Sequence, residues 1–202
     1  MKISKRFKAA AAAALACAAF LLTGCAGVFP GDIELEAGES AIYIEDGLIS
    51  YCVMESFDEE YYDSDELESA IDEEVADFNA SDLSSGEDGA VVSTFKIKNK
   101  EAYLVMEFAS AQDFLNYVLE YERASSEDFY IGAAGEIPEE LELSDELAAA
   151  LEDAADDDRI IVTTDAMLIQ IADESVIEAS ENCSETDGVI TTADDGLSYI
   201  IY

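Results

Sequence analysis

Hydrophobic residues change their spacing several times along the chain, and each change marks a different element. Ala41 to Glu45 and Leu48 to Phe57 are rich in Ile, Tyr and Val and flank Asp46-Gly47, a dipeptide suited to a two-residue hairpin turn. From Ser64 to Asn79 the period lengthens, with Leu67, Ile71, Val75 and Phe78 at intervals of four, four and three, one face of a helix. Asp63 and Glu66 stand three apart as a capping box before it, and Tyr62 and Leu67 occupy the staple positions. Ser81 to Gly89 is a polar loop. Ala90 to Lys98 and Glu101 to Ala109 then predict a second hairpin across Asn99-Lys100, pairing Lys98 with Glu101 and Lys96 with Tyr103. That register puts Phe95, Ile97, Ala102, Leu104, Met106 and Phe108 on one face.

A second helix is expected from Ala111 to Glu122, capped by Ser110, with Phe114, Val118 and Tyr121 inward. The last third is less regular. It reads as a short strand at 129–132, a helix from Asp145 to Ala155 capped by Ser144, and short strands at 160–164, 167–171, 175–179, 189–192 and 197–202. This order predicts an α+β fold: an antiparallel sheet built from hairpins, with about three helices packed on one face.

The N-terminus has a different pattern. Lys2, Lys5, Arg6 and Lys8 precede an apolar run of 14 residues, Ala9 to Leu22. At about 1.5 Å per residue it reaches roughly 21 Å as a helix, short of a bilayer's hydrocarbon core of about 30 Å, so an export signal is the better reading. The run ends in Leu22-Thr23-Gly24-Cys25, which resembles the lipobox of bacterial lipoproteins. The resemblance implies that residues 1–24 are removed and that Cys25 is acylated, holding the chain to the extracytoplasmic face of the cell membrane by its lipid. Two or three acyl chains anchor a protein stably where one does not. The alternative is an ordinary secretory signal cut elsewhere, with Cys25 a free thiol. Residues 25–40, with Pro30 and three glycines, read as a tether, and residues 41–202 as a single domain.

A second resemblance lies in Glu55-Ser56-Phe57-Asp58-Glu59-Glu60-Tyr61-Tyr62-Asp63-Ser64-Asp65-Glu66-Leu67. It is similar to a pattern, E-x-F-x-x-x-Y-Y-x-x-x-E-L, of uncharacterised lipid-anchored lipoproteins of Gram-positive anaerobic bacteria. Those proteins also look similar around Ala102-Tyr103-Leu104-Val105 and in the ending Tyr199-Ile200-Ile201-Tyr202. The resemblance carries no catalytic residue with it. Glu59 is one departure, since the resemblance leads to an expectation of Lys there, and the segment here is acidic throughout.

Composition narrows the chemistry. The 202 residues include 48 Asp plus Glu, 9 Lys plus Arg and no His, a net charge of -39. Without His, Ser-His-Asp and Cys-His pairs and His-containing zinc sites are impossible. Binding a phosphate backbone needs cations, so nucleic acid is not an expected partner. No phosphate loop, nucleophile elbow or dinucleotide fingerprint occurs, and no cofactor is expected.

Several features have two readings. Tyr61 and Tyr62 are an aromatic platform or a helix staple. Asp156, Asp157 and Asp158 gather oxygen ligands of the kind Ca²⁺ takes, or simply follow the end of the third helix. Lys96 and Lys98, on the outer face of one strand, and Lys100 touch an anionic lipid or wall polymer, or answer cross-strand acids such as Glu101. Cys52 and Cys183 form a bridge or stay apart, with Cys52 a small buried hydrophobe. Paired carboxylates of the glycosidase kind carry no information when acids fill a quarter of the positions. The expectation is therefore a binding or envelope-interaction module and not an enzyme, its partners being the bilayer through Cys25 and an unknown envelope ligand or protein. A carboxylate-based hydrolase of wall glycan and a polyanionic cation-binding surface protein are the alternatives. An apolar groove rimmed by tyrosines would favour the binding module.

Removal of residues 1–24 takes four of the nine cations and none of the acids. The remaining self-repulsion predicts that residues 26–202 melt at a higher temperature as NaCl rises from about 10 mM to about 0.2 M, where the screening length falls below about 10 Å. A flat thermal melt across that series would mean that the charges are neutralised locally.

Overall fold

A computed structural model describes residues 29–31, 33–58, 63–122, 124–141, 143–172 and 174–202. Both expected hairpins form. β1 (Ser40–Glu45) pairs with β2 (Leu48–Ser56), and β3 (Ala90–Lys98) with β4 (Glu101–Phe108). The turn residues Asp46, Gly47, Asn99 and Lys100 all have positive φ, the geometry whose twist matches the flanking strands. Lys98 lies opposite Glu101 and Lys96 opposite Tyr103, as the pattern requires. A bulge between Val92 and Thr94 shifts the phase of β3 so that Val92 and Phe95 both face the core.

The helices follow their caps. α1 (Ser64–Asn79) starts at Asp63, whose carboxylate accepts from the backbone N–H of Asp65 and Glu66. Leu67, Val75 and Phe78 are buried against the sheet, while the partner expected in the staple, Tyr62, lies outside the described residues. At the far end, Asn79 pairs with both backbone groups of Ala90, donating at 2.7 Å and accepting at 2.9 Å, which ties the helix to the start of β3. α2 (Ala111–Tyr121) carries Phe114 against Tyr51, Phe108 and Phe129, with ring centroids 5.4, 5.1 and 5.9 Å away. Those rings come from β2, β4 and β5 (Phe129–Ala133), so one side chain joins three strands.

The α+β class holds, with three α-helices among the described residues and a large antiparallel sheet of hairpin strands. The strands nevertheless divide into two sheets. One has the order β3-β4-β2-β1-β7-β10-β9, and the other β5-β6-β11-β8. The added strands are β6 (Arg159–Thr163), β7 (Leu168–Ile171), β8 (Glu178–Ala179), β9 (Ser184–Thr186), β10 (Val189–Thr191) and β11 (Ser198–Ile201). β1 and β7 run parallel, a departure from the all-antiparallel expectation. Between them the chain passes through the smaller sheet, so no hairpin turn fixes the direction in which β7 returns. β9 has no counterpart among the expected strands, although it meets β10 across Asp187-Gly188, a turn of the same kind as Asp46-Gly47. α3 (Asp145–Asp153) stops before the acidic run at 156–158, which would have met the negative end of its dipole.

The largest correction concerns the expected tether. Phe29, Ile33 and Leu35 are buried, forming a second apolar cluster with Ala41, Cys52, Met54, Tyr103 and Val105 on the outer face of the larger sheet. From Phe29 on, the segment is a strap, and the folded domain begins there and not at Ala41. The cause is written in the central strands: Tyr51 to Met54 and Ala102 to Met106 are buried without alternation, so both faces need cover. Gly31, with φ at +70°, lies so close to the sheet that a Cβ there would come 2.1 Å from Gln170 Oε1. Phe29→Ala is expected to lower the free energy of unfolding by about 3 kcal/mol, the usual cost of emptying a buried aromatic site. A urea titration checks it, since truncation in a free tether would change stability by less than about 0.5 kcal/mol.

Candidate ligand-binding cleft

A cleft of about 410 Å³ opens where the two sheets meet the start of α2. Its floor is apolar, from Ile44 on β1, Ile49 on β2 and Ile131 on β5. Tyr130, Tyr202, Arg159, Glu136 and Glu174 supply its polar groups. The volume is that of an ordinary small-molecule site, and an apolar floor with a few convergent polar groups is the usual composition of one.

Each polar group is held by the fold. Arg159 opens β6, where it lies opposite Ala133 of β5, and its backbone exchanges hydrogen bonds of 2.9 Å in both directions with Tyr202. Burial pushes the Tyr202 phenol up, the Arg159 guanidinium pulls it partly back, and Glu174 adds to the rise. Tyr130 is likewise raised by burial and by Glu136, and lowered by Arg159. Arg159 therefore sits within electrostatic reach of both phenols, with one carboxylate near each.

The Tyr130 hydroxyl donates to the carbonyl of Ala133 at 2.9 Å, folding its ring back over Gly132. A Cβ at Gly132 would come 2.3 Å from that hydroxyl, so this position must be glycine for the ring to lie where it does. The helical wall is equally fixed. Asp113, almost fully buried, accepts from Ser110 Oγ at 2.6 Å, Ser85 Oγ at 2.9 Å and the Ser85 backbone at 2.7 Å. These bonds clamp the loop before β3 onto the first turn of α2, where Ser110 to Gln112 border the cleft.

The sequence marks none of these residues as a binding group, although it picks out Ser110 as a helix cap and Tyr202 within the similar ending. The one available signal is scarcity, because Arg159 is one of only five cations after residue 24. Of the residues that the sequence does single out, Cys25, Tyr61 and Tyr62 lie outside the described residues. Asp156 and Asp158 serve as backbone acceptors for Gly135 and Ala134, and the Asp158 carboxylate accepts from Ala155 N–H at 2.8 Å, closing the turn into β6. Among the described residues no group of three or more acid or thiol side chains is gathered as a metal ion would require. Lys96 is exposed on the outer face of β3.

A second hollow, of about 430 Å³, lies on the outer face of the larger sheet beside Pro30. Tyr43, Leu48 and Val91 line it, with Glu45, Asp88 and Glu107 around them.

Cys52 and Cys183 are both free thiols, so the bridge does not form. Cys52 belongs to the strap's cluster on the outer face, whereas Cys183 packs against the main core. No family model, no curated protein and no solved structure matches this chain.

Burial pushes the Cys52 thiol up to about 12, leaving almost no thiolate at neutral pH. In folded residues 26–202 a thiol reagent at pH 8 should modify Cys183 and spare Cys52, and denaturation should release the second thiol. Modification of both at equal rates in the folded protein would contradict the sealing of the outer face by the strap.

Proposed function

We propose that the chain is a membrane-anchored, extracytoplasmic lipoprotein, held at the cell membrane by acylated Cys25, that acts as a binding module and takes a small ligand in the cleft between its sheets. The observation that carries this reading is the concentration of Arg159, Tyr130 and Tyr202 in one preformed hollow of a chain otherwise dominated by acids. An apolar floor rimmed by two tyrosines gives contact area with hydroxyls at its edge. Glu136 and Glu174 line the same hollow as Arg159, so both signs of charge border one space.

That combination fits a small zwitterion. A carboxylate opposite Arg159 would gain charge-assisted hydrogen bonds, and an amine would meet Glu136 or Glu174. A purely anionic ligand would be opposed by those two carboxylates, and a purely cationic one would leave Arg159 without a ligand group to bind. The lipobox at Leu22 to Cys25 supports the anchored, extracytoplasmic setting.

The test uses residues 26–202 with free amino acids and dipeptides, each compared with its amidated and N-acetylated form. At least one free zwitterion should give a saturable rise in melting temperature, and blocking either end should weaken it. Arg159→Gln should reduce affinity by about tenfold or more, the usual effect of losing a charged hydrogen-bond partner. Gly132→Ala, which displaces Tyr130, should weaken binding as well. No saturable response from any member of the panel, or equal affinity in Arg159→Gln, would overturn this reading.

A further inference from the structure

Arg159 lies in the cleft and Arg123 falls outside the described residues, which leaves Lys96, Lys98 and Lys100 as the other cations after residue 24. All three stand on β3 or its turn, at the exposed edge of the larger sheet. Lysines on an edge strand have one ready explanation, since they discourage pairing with another chain. The strap adds a second fact that edge protection does not need. Phe29 packs on Tyr103, with ring centroids 5.9 Å apart, and Tyr103 is the cross-strand neighbour of Lys96 on the same face. The chain therefore enters the domain beside the lysines.

Cys25 precedes Phe29 by four residues, and four extended residues span at most about 14 Å. The Cys25 backbone, from which a lipid would hang, therefore lies within about 14 Å of the Phe29 backbone. We propose that Lys96, Lys98 and Lys100 rest on anionic lipid headgroups beside the acyl anchor, so that the β3 edge of the domain faces the membrane. This rests on the lipid-anchor reading but not on the cleft having a ligand. The charge distribution favours the same orientation. An anionic bilayer repels a domain of 48 acids and attracts the one edge where three cations gather, and the attraction acts within about a Debye length of the surface. The anchor's short reach holds that edge inside this range.

The chain contains no Trp, so single tryptophans report position without background. The full-length protein, acylated in a bacterial host, is placed on vesicles of phosphatidylglycerol and phosphatidylcholine in equal parts, or of phosphatidylcholine alone, each with a quencher-labelled lipid. Ser93→Trp marks the exposed bulge of β3, and Ile177→Trp marks an exposed position beside the edge strand of the smaller sheet. Quenching in the Ser93→Trp protein is expected to exceed that in the Ile177→Trp protein by about threefold on the anionic vesicles. It should fall on phosphatidylcholine, at high salt, and when Lys96→Gln, Lys98→Gln and Lys100→Gln are added together. The protein with all three lysines replaced should still float with the vesicles and melt as the parent does. Flotation with equal quenching of the two reporters, or with the β3 reporter unchanged by loss of the lysines, would overturn the lysine contact alone. Failure of the acylated protein to float, or flotation that survives Cys25→Ala, would overturn the anchor and this proposal with it.

Discussion

The architecture depends on one constraint: the central strands of the larger sheet are apolar on both faces. In most antiparallel sheets one face is wet, and alternation along each strand says which. Here β2 and β4 bury consecutive residues, so the chain must find cover twice. On the inner face it uses α1, α2 and the smaller sheet, joined through Phe114 and its three aromatic neighbours. On the outer face it uses the irregular strap from Phe29 to Leu35. The cleft is a by-product of the inner solution, because two sheets meeting over one helix leave a hollow where their strand ends and the helix start converge.

Local order is legible in the residues and long-range order is not. Asp46-Gly47 and Asn99-Lys100 demand hairpins, and the caps at Asp63, Ser110 and Ser144 set the helix starts, because each signal acts within a few residues. Ile33 and Leu35 alternate with Glu34 and Glu36, and Phe29 stands four residues before Ile33, a pattern too short to tell a buried segment from a tether. Their burial is visible only once the missing alternation in β2 and β4 is taken as a demand for a second cover. The β1–β7 pairing and the smaller sheet join residues far apart in sequence, which no local pattern records. The cleft has the same origin: Ile44, Tyr130, Arg159 and Tyr202 come from four distant parts of the chain.

Charge follows the same division between local and global. The acids are spread over nearly every exposed stretch, where they keep the domain solvated, and the cations among the described residues stand in two places, the cleft and the β3 edge. Arg159 organises two phenols, and the lysines of β3 hold the exposed edge of the sheet. With so little positive charge available, position matters more than number.

The strap also has a mechanical meaning. A load arriving through residue 28 would act first on Phe29, Ile33 and Leu35, which hold by side-chain packing, before it reached the backbone ladder of β1. Such contacts peel one at a time, whereas a ladder under shear breaks many bonds together. Releasing residues 29–37, ahead of the backbone bonds that Gly38 and Glu39 make with Met54, would lengthen the connection by up to about 30 Å while the strands stayed paired. The segment is thus slack stored on the back of the sheet, and tension that drew it out would uncover Cys52, Met54 and Tyr103 while the strands were still paired.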